Sequence, residues 1–212
     1  MKYLLTLFCA IFIYTFQVLG QDTIKTNSIV KTNPIIFGEG YVGAAIAGVS
    51  GIEYGLSLNY QIKKSLITAR ITEFDHTTLA VRQIGFFIGI PFIVDLGYTR
   101  EYAALYGLRS IKAGHSLGFS FGVSQNTHVV KYYDNNYNFQ SQTQSSYVGM
   151  PFELNVKWFK KSKERYRIYY LIPVGKPSGF GNSIGVKLSG NLSQYSYLAL
   201  AINLGLGYHK SY

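Results

Sequence analysis

Residues 198–208 set the strictest limit on what this chain can become. Leu198, Leu200, Ile202, Leu204, Leu206 and Tyr208 take every second position, and Ala199, Ala201, Asn203, Gly205, Gly207 and His209 take the positions between. A period of two sends one row to each face of a β-strand, whereas a helix would mix them. The alternation returns at 52–62 (Ile52, Tyr54, Leu56, Leu58, Tyr60, Ile62 against Glu53, Gly55, Ser57, Asn59, Gln61), at 117–124, at 148–158 and at 184–191. Weaker versions occupy 40–48, 66–74, 84–90 and 100–109. The pattern predicts an all-β chain, an antiparallel up-and-down β-barrel of about eight to ten strands.

The residues opposite the apolar rows decide between a soluble and a transmembrane barrel. A soluble sheet facing water would carry Lys, Glu, Thr and Asp there. This chain places Gly118, Ser120, Gly122, Ser124, Ala199, Ala201, Gly205 and Gly207 there instead, small residues that suit the inside of a narrow closed barrel. Closure also pairs every backbone N–H and C=O, which hydrocarbon requires. The apolar rows are then expected to face lipid, with Leu56, Phe119, Leu154 and Leu204 as representatives. The charges on the other face, Glu53, Arg70, Glu73, Glu101, Arg109, Glu153, Lys157 and Lys187, are expected to form an interior network, the alternative being a solvated face on which they contribute little. Tyr41, Tyr60, Tyr102, Tyr147, Tyr166, Tyr197 and Tyr208 near strand ends have two readings, aromatic girdles or ordinary β-propensity. Composition agrees: charged residues are 14%, aromatics 16%, and there are 22 Gly and 19 Tyr.

The N-terminus reads as a signal peptide over residues 1–20: Lys2, an apolar core from Leu4 to Phe16, and Val18 and Gly20 before cleavage ahead of Gln21. The core is shorter than the roughly 20 residues of a spanning helix. Cys9, the one cysteine, lies inside it, so the mature chain holds no disulfide or cysteine metal site. Residues 21–34 are a polar linker closed by Pro34, and the barrel is assigned to 35–212. Residues 125–146 are expected to form a long polar loop. Tight turns are expected at 48–51, 63–65 and 192–194, giving short turns at one end of the barrel and long loops at the other. The apolar stretch 84–98 is unexplained, since Pro91 argues against a central strand.

The closing segment, an alternating row running to Tyr208 with Tyr212 beyond Lys210 and Ser211, resembles the last strand of bacterial outer-membrane barrels. GIEYGLSLNYQ (51–61) and VGMPFELNVKWF (148–159) resemble strands of small uncharacterised members of that group. The resemblance covers the chain from about residue 36 onward. It implies a cell outer-membrane location, contact with outer-membrane lipid, and delivery to the barrel assembly machinery through the C-terminal strand. It transfers no catalytic residues.

The residues themselves offer no catalytic constellation. His76, His115, His128 and His209 are scattered in sequence, without metal-ligand spacing, and no GxSxG elbow occurs. Ser116 adjoins His115, but neighbours on a strand point to opposite faces. GKPSGFG (175–181) lacks the ending of a phosphate loop and reads as a turn. No cofactor, metal or catalytic residue is assigned. The net charge of +10 would suit nucleic acid or anionic headgroups, and export excludes the former. Lys160, Lys161, Lys163, Arg165 and Arg167 have two readings, contact with anionic headgroups or a solvated hairpin. The function expected is that of a non-enzymatic barrel with a side-chain-filled interior. Its role would be structural or one of surface interaction through long loops, with the surface partner unknown. The alternative is a secreted or periplasmic lipocalin-like barrel that turns its apolar rows inward around a small apolar ligand. A barrel enzyme acting on lipid is a third reading.

Overall fold

The computed structural model describes residues 33–48, 50–84, 88–134, 138–168 and 171–212, with the side chains at 79–84, 88–93, 164 and 166 outside that description. The expected signal peptide, and the expected linker apart from Asn33 and Pro34, lie outside the described residues. Ten strands follow: β1 (Ile35–Ile46), β2 (Ser50–Ile62), β3 (Ser65–Ile84), β4 (Ile88–Lys112), β5 (His115–Tyr133), β6 (Phe139–Phe159), β7 (Glu164–Ile168), β8 (Ile172–Ser178), β9 (Phe180–Leu192) and β10 (Tyr197–Tyr208).

Eight of these close into an antiparallel barrel, in the order β1-β10-β9-β6-β5-β4-β3-β2, while β7 and β8 pair only with each other. The ring shuts along β1 and β10, in register from Ile36 opposite Tyr208 to Ile46 opposite Leu198. Closure leaves no edge along this seam, so the backbone groups that β1 and β10 would expose are paired.

The two ends of the barrel differ, though not in the way the sequence suggests. One end holds both described termini, the turns at Lys63–Lys64 and Ala113–Gly114, and the appended β7–β8 hairpin. Lys63 (φ 53°) and Ala113 (φ 48°) take the left-handed conformation that such tight turns demand. The other end holds the short β1–β2 and β9–β10 turns together with two long hairpins. Both ends thus carry short turns. The asymmetry lies instead in how far β3–β6 rise beyond their neighbours.

That rise is a four-stranded tongue. β2 pairs with β3 only as far as Gly51 opposite His76, but β3 continues to Ile84, opposite Ile88 of β4. β9 meets β6 only from Leu192 opposite Met150, but β6 begins at Phe139. In the expected loop 125–146 the described residues 125–133 and 139–146 are therefore paired strand, with Gln125 opposite Val148 and Tyr133 opposite Phe139. Its strands escaped a periodicity reading because residues 139–146 are polar at nearly every position, so no apolar row alternates. In the apolar segment 84–98 the described residues are likewise strand, with Ile84 ending β3 and 88–98 lying in β4. Pro91 sits opposite Val81, beyond Gly97, where β5 stops pairing with β4. The missing N–H of a proline is tolerated at such an unpaired edge.

The tongue leaves the barrel at a bulge between His76 and Thr77. Gly97 stands opposite, with φ 129°, and a Cβ there would lie 1.9 Å from the Val129 carbonyl oxygen. Gly97→Ala is expected to cost more than about 1 kcal/mol, because both the backbone angle and the contact exclude a side chain. The check is a lower temperature for loss of the compact electrophoretic form.

Candidate functional site

The barrel is inverted relative to a soluble protein, and that inversion defines the site. Leu56, Phe119, Leu154 and Leu204 project outward, exposed by 67, 51, 39 and 62%. The positions between them are buried and polar. Among the described residues the lumen holds four carboxylates, Glu39, Glu53, Glu101 and Glu153, and four cations, Arg70, Arg109, Lys157 and Lys187. An inward apolar lining, which the lipocalin-like alternative needs, is not what these strands build.

Six of the eight charges form one alternating chain across the barrel. Arg70 on β3 donates to Glu101 Oε1 on β4 from Nε (3.0 Å) and Nη2 (2.5 Å), and its Nη1 reaches Glu153 Oε2 on β6 at 3.3 Å. Lys187 Nζ on β9 lies 3.3 Å from Glu153 Oε2 and 3.7 Å from Glu39 Oε2 on β1. Lys157 on β6 pairs with the other oxygen of Glu39. Glu53 stands beside the chain and accepts the Ser189 hydroxyl on both oxygens, at 2.9 and 2.8 Å. Three of these pairs, Arg70–Glu153, Lys187–Glu39 and Lys157–Glu39, link strands that are not neighbours in the ring, so they brace the lumen across its width. Burial without such partners would cost several kcal/mol per ion.

Above and below lie neutral tiers. Toward the tongue, Asn191 donates to Ser124 Oγ (2.8 Å) and Asn126 Oδ1 (3.2 Å), and the Tyr197 hydroxyl donates to Glu101 Oε2 (3.1 Å). At the terminal end Arg109 sits apart from the described ion pairs. It donates to Gln61 Oε1 (2.8 Å), the His209 carbonyl (2.9 Å) and Ser116 Oγ (3.1 Å), with its guanidinium 4.7 Å above the Phe37 ring. Cation–π contact and neutral acceptors take the place of a carboxylate here.

One expected member leaves the lumen and one unexpected residue joins it. Glu73 does not belong to the lumen. It lies three residues from Arg70 on one strand, an odd separation that forces opposite faces. On the outer face it accepts Arg100 Nε at 2.7 Å and the Tyr54 hydroxyl at 2.9 Å. Glu39, which periodicity missed, takes an interior place. Its face of β1 also carries Phe37 and Tyr41, while the outward face carries Gly38 and Gly40, so apolarity there does not mark the outside. The wider spacing Ile36, Val42, Ile46 is the signal that would have found it. Tyr41, expected in a girdle, is interior for the same reason, and Tyr197 is interior because it shares the face of Ala199 and Ala201; both are buried, with Lys187 Nζ 4.0 Å over the Tyr41 ring. Tyr60 and Tyr102 do face outward.

The histidines, scattered in sequence, partly converge. His76 Nε2 lies 2.8 Å from Thr99 Oγ1, which lies 2.8 Å from His128 Nδ1. A hydroxyl can donate to one ring and accept from the other, so the row needs no charge. Tyr195 stacks on His128 at 4.0 Å, closing the lumen at the base of the tongue. Three strands, β3, β4 and β5, supply this row, and no spacing within one strand could show it. Among the described residues no three His, Cys, Asp or Glu side chains are placed to hold a metal ion. His115 is exposed and Ser116 buried, on opposite faces.

On the tongue Lys131 pairs with Asp95 across β4 and β5. Partial burial acts to raise the Asp95 carboxyl, but the hydrogen bonds from Lys131 and the Gly97 N–H outweigh it and hold the group below its ordinary range. The basic run Lys160, Lys161, Lys163, Arg165 and Arg167 is at the opposite, terminal end. It leads from β6 into the β7–β8 hairpin.

No protein-family model matches the sequence, and no curated protein matches it. Solved bacterial barrels share its backbone path at low identity. The N-terminal β-barrel domain of Pseudomonas aeruginosa OprF has a TM-score of 0.49 at 11% identity, covering 83% of this chain and 100% of that one. Ail, the attachment invasion locus protein of Yersinia pestis, has 0.46 at 9%, covering 81% and 95%. Neisserial surface protein A (NspA) has 0.46 at 10%, covering 83% and 98%. Likenesses this distant concern chain path alone.

Proposed function

We propose that this chain is a non-enzymatic outer-membrane β-barrel whose filled lumen is structural and whose tongue is a surface for interaction. The observation that carries the reading is the outer wall. The outward rows of β2, β5, β6, β9 and β10 within the ring carry no charged side chain between the rims. Charge on the wall stops at Glu73, Asp75 and Arg100 on one side and at Lys112 on the other. Strands of 12 or 13 residues such as β1 and β2, at about 3.3 Å per residue and roughly 40° tilt, rise about 30 Å. That exceeds the apolar band of about 25 Å that such barrels present. In water this wall would be a large contiguous apolar patch.

The lumen leaves no room for an aqueous channel, as expected of eight strands. With the termini in the periplasm, the tongue stands outside the cell. Residues 139–149 of β6 have β5 on one side, and the described pairing with β9 starts only at Met150. That stretch, FQSQTQSSYVG, carries no charge and no proline. An unprotected edge of this kind favours pairing with an extended partner segment.

The test is heat modifiability. The chain is expressed with its own N-terminus, membranes are washed with carbonate, and samples are run in SDS with and without boiling. The expected result is retention in the outer-membrane fraction and a mobility shift on boiling. A carbonate-soluble protein without a shift would overturn the proposal.

A further inference from the structure

The chain's positive charge is concentrated at one end. The lumen is balanced, four against four. By position, the tongue end carries four carboxylates, Glu73, Asp75, Asp95 and Asp134, against three cations. Among the described residues the terminal end carries ten Lys and Arg, from Lys63 in the β2–β3 turn through the basic run to Lys210, against one carboxylate, Glu164. Almost the whole excess thus lies at the end from which β7 and β8 project.

The hairpin formed by β7 and β8 is itself two-faced. Its register sets Ile168 beside Ile172, with Val174 two positions on, and sets Arg167 beside Pro173 on the opposite face. Ile168, Ile172 and Val174 are exposed, and Leu171 at the bend is 78% exposed. No described element covers this apolar face. The root of the hairpin, by contrast, is tied down. The Tyr212 hydroxyl donates to the Lys160 carbonyl at 3.2 Å and the Tyr212 N–H to Asn33 Oδ1 at 3.2 Å. Lys210 and Lys163 lie over the Tyr212 ring at 5.1 and 5.7 Å. Just beside the root, the outer wall has a groove between Trp158, Ile184, Leu204 and Leu206, with Lys160 at its mouth.

We infer that the β7–β8 hairpin is a membrane-docking element for the phospholipid leaflet at the terminal end. Ile168, Leu171 and Ile172 enter the acyl boundary, and the basic run pairs with anionic headgroup phosphates. Charge complementarity and continuity with the apolar outer wall both select this occupant. An apolar edge flanked by Lys and Arg is the pattern of an interfacial segment, and each cation near an anionic surface adds to the attraction. The inference rests on the membrane-barrel reading.

The test uses the full chain with Cys9→Ser and a single reporter cysteine, Ile172→Cys or Leu204→Cys, carrying an environment-sensitive dye. The protein is reconstituted in phosphatidylcholine vesicles with or without phosphatidylglycerol, and quenching by acyl-chain spin labels is read. The Leu204 site is expected to be quenched in both vesicles. The Ile172 site is expected to be quenched strongly only with phosphatidylglycerol. Replacing the five basic-run residues by Gln should weaken that partitioning about fivefold per cation removed, and high salt should weaken it as well. Quenching at Leu204 with none at Ile172 in either vesicle would overturn the docking inference and leave the barrel standing. No quenching at Leu204 would overturn the barrel reading itself. Retention on purified peptidoglycan with Ile172 still in water would assign the cations to a polymer and overturn the inference.

Discussion

Leu56→Arg combined with Leu204→Arg is expected to abolish membrane assembly. Both residues lie opposite Gly40, one on each side of β1, and both point outward. An arginine on the lipid face costs about 2–4 kcal/mol near the bilayer midplane. Two of them flanking the same strand also repel each other. A whole domain is stable by only roughly 5–15 kcal/mol, so the pair removes much or all of that margin. The expected result is loss of the unboiled, fast-migrating band and recovery of the chain in the carbonate-soluble or degraded fraction. Leu204→Ile, which keeps the wall apolar, should behave as the parent does. A double-arginine protein that still sediments with the outer membrane and still shifts on boiling would sink the idea that this wall meets lipid. Phe119 and Leu154, opposite each other on β5 and β6, offer the same test on the far side of the ring.

Arg70→Met is the second large effect. Arg70 separates two buried carboxylates, Glu101 and Glu153. Its removal leaves them facing each other with one fewer cation in a balanced lumen. Removing one partner of a buried pair costs about 3–5 kcal/mol, because an uncompensated charge remains. Urea unfolding in detergent, followed by the single Trp158, should show a midpoint shifted down accordingly. Adding Glu101→Gln restores the balance of charge and should recover a large part of the loss, since replacing a buried pair altogether is often nearly neutral. Glu73→Gln makes the contrast. Its partner Arg100 is on the outer face and partly exposed, and pairs of that kind contribute about 0–1 kcal/mol. An Arg70→Met protein that unfolds like the parent would mean that the lumen chain is incidental to stability.

These two experiments probe faces that the sequence separated unequally. Where an apolar row alternates with small or polar residues, as along β2, β5 and β10, the two faces could be told apart directly. Where one face offers glycine and the other offers aromatics, as in β1, the rule inverts, and Glu39 and Tyr41 were hidden. Glu73 shows a different failure. Charge type alone suggested the lumen, while strand parity relative to Arg70 already argued against it. The tongue failed for a third reason. Its residues in β6 are polar on both faces, so pairing with β5, rather than burial, makes them strand.

The order of residues by itself determined that the chain would form antiparallel strands, and which side chains share a face in each strong one. Side-chain parity is a local property, fixed by the pleat of the backbone. The tertiary structure decided the rest: eight strands in the ring and two outside it, the end at which each connection lies, and which charges meet. Arg70 finds Glu153 over a separation of 83 residues, and His76 meets His128 through a threonine on the strand between them. Such contacts depend on register between strands and on the curvature that closes the ring. Both are set by pairing across the whole sheet, and no single segment of sequence carries them.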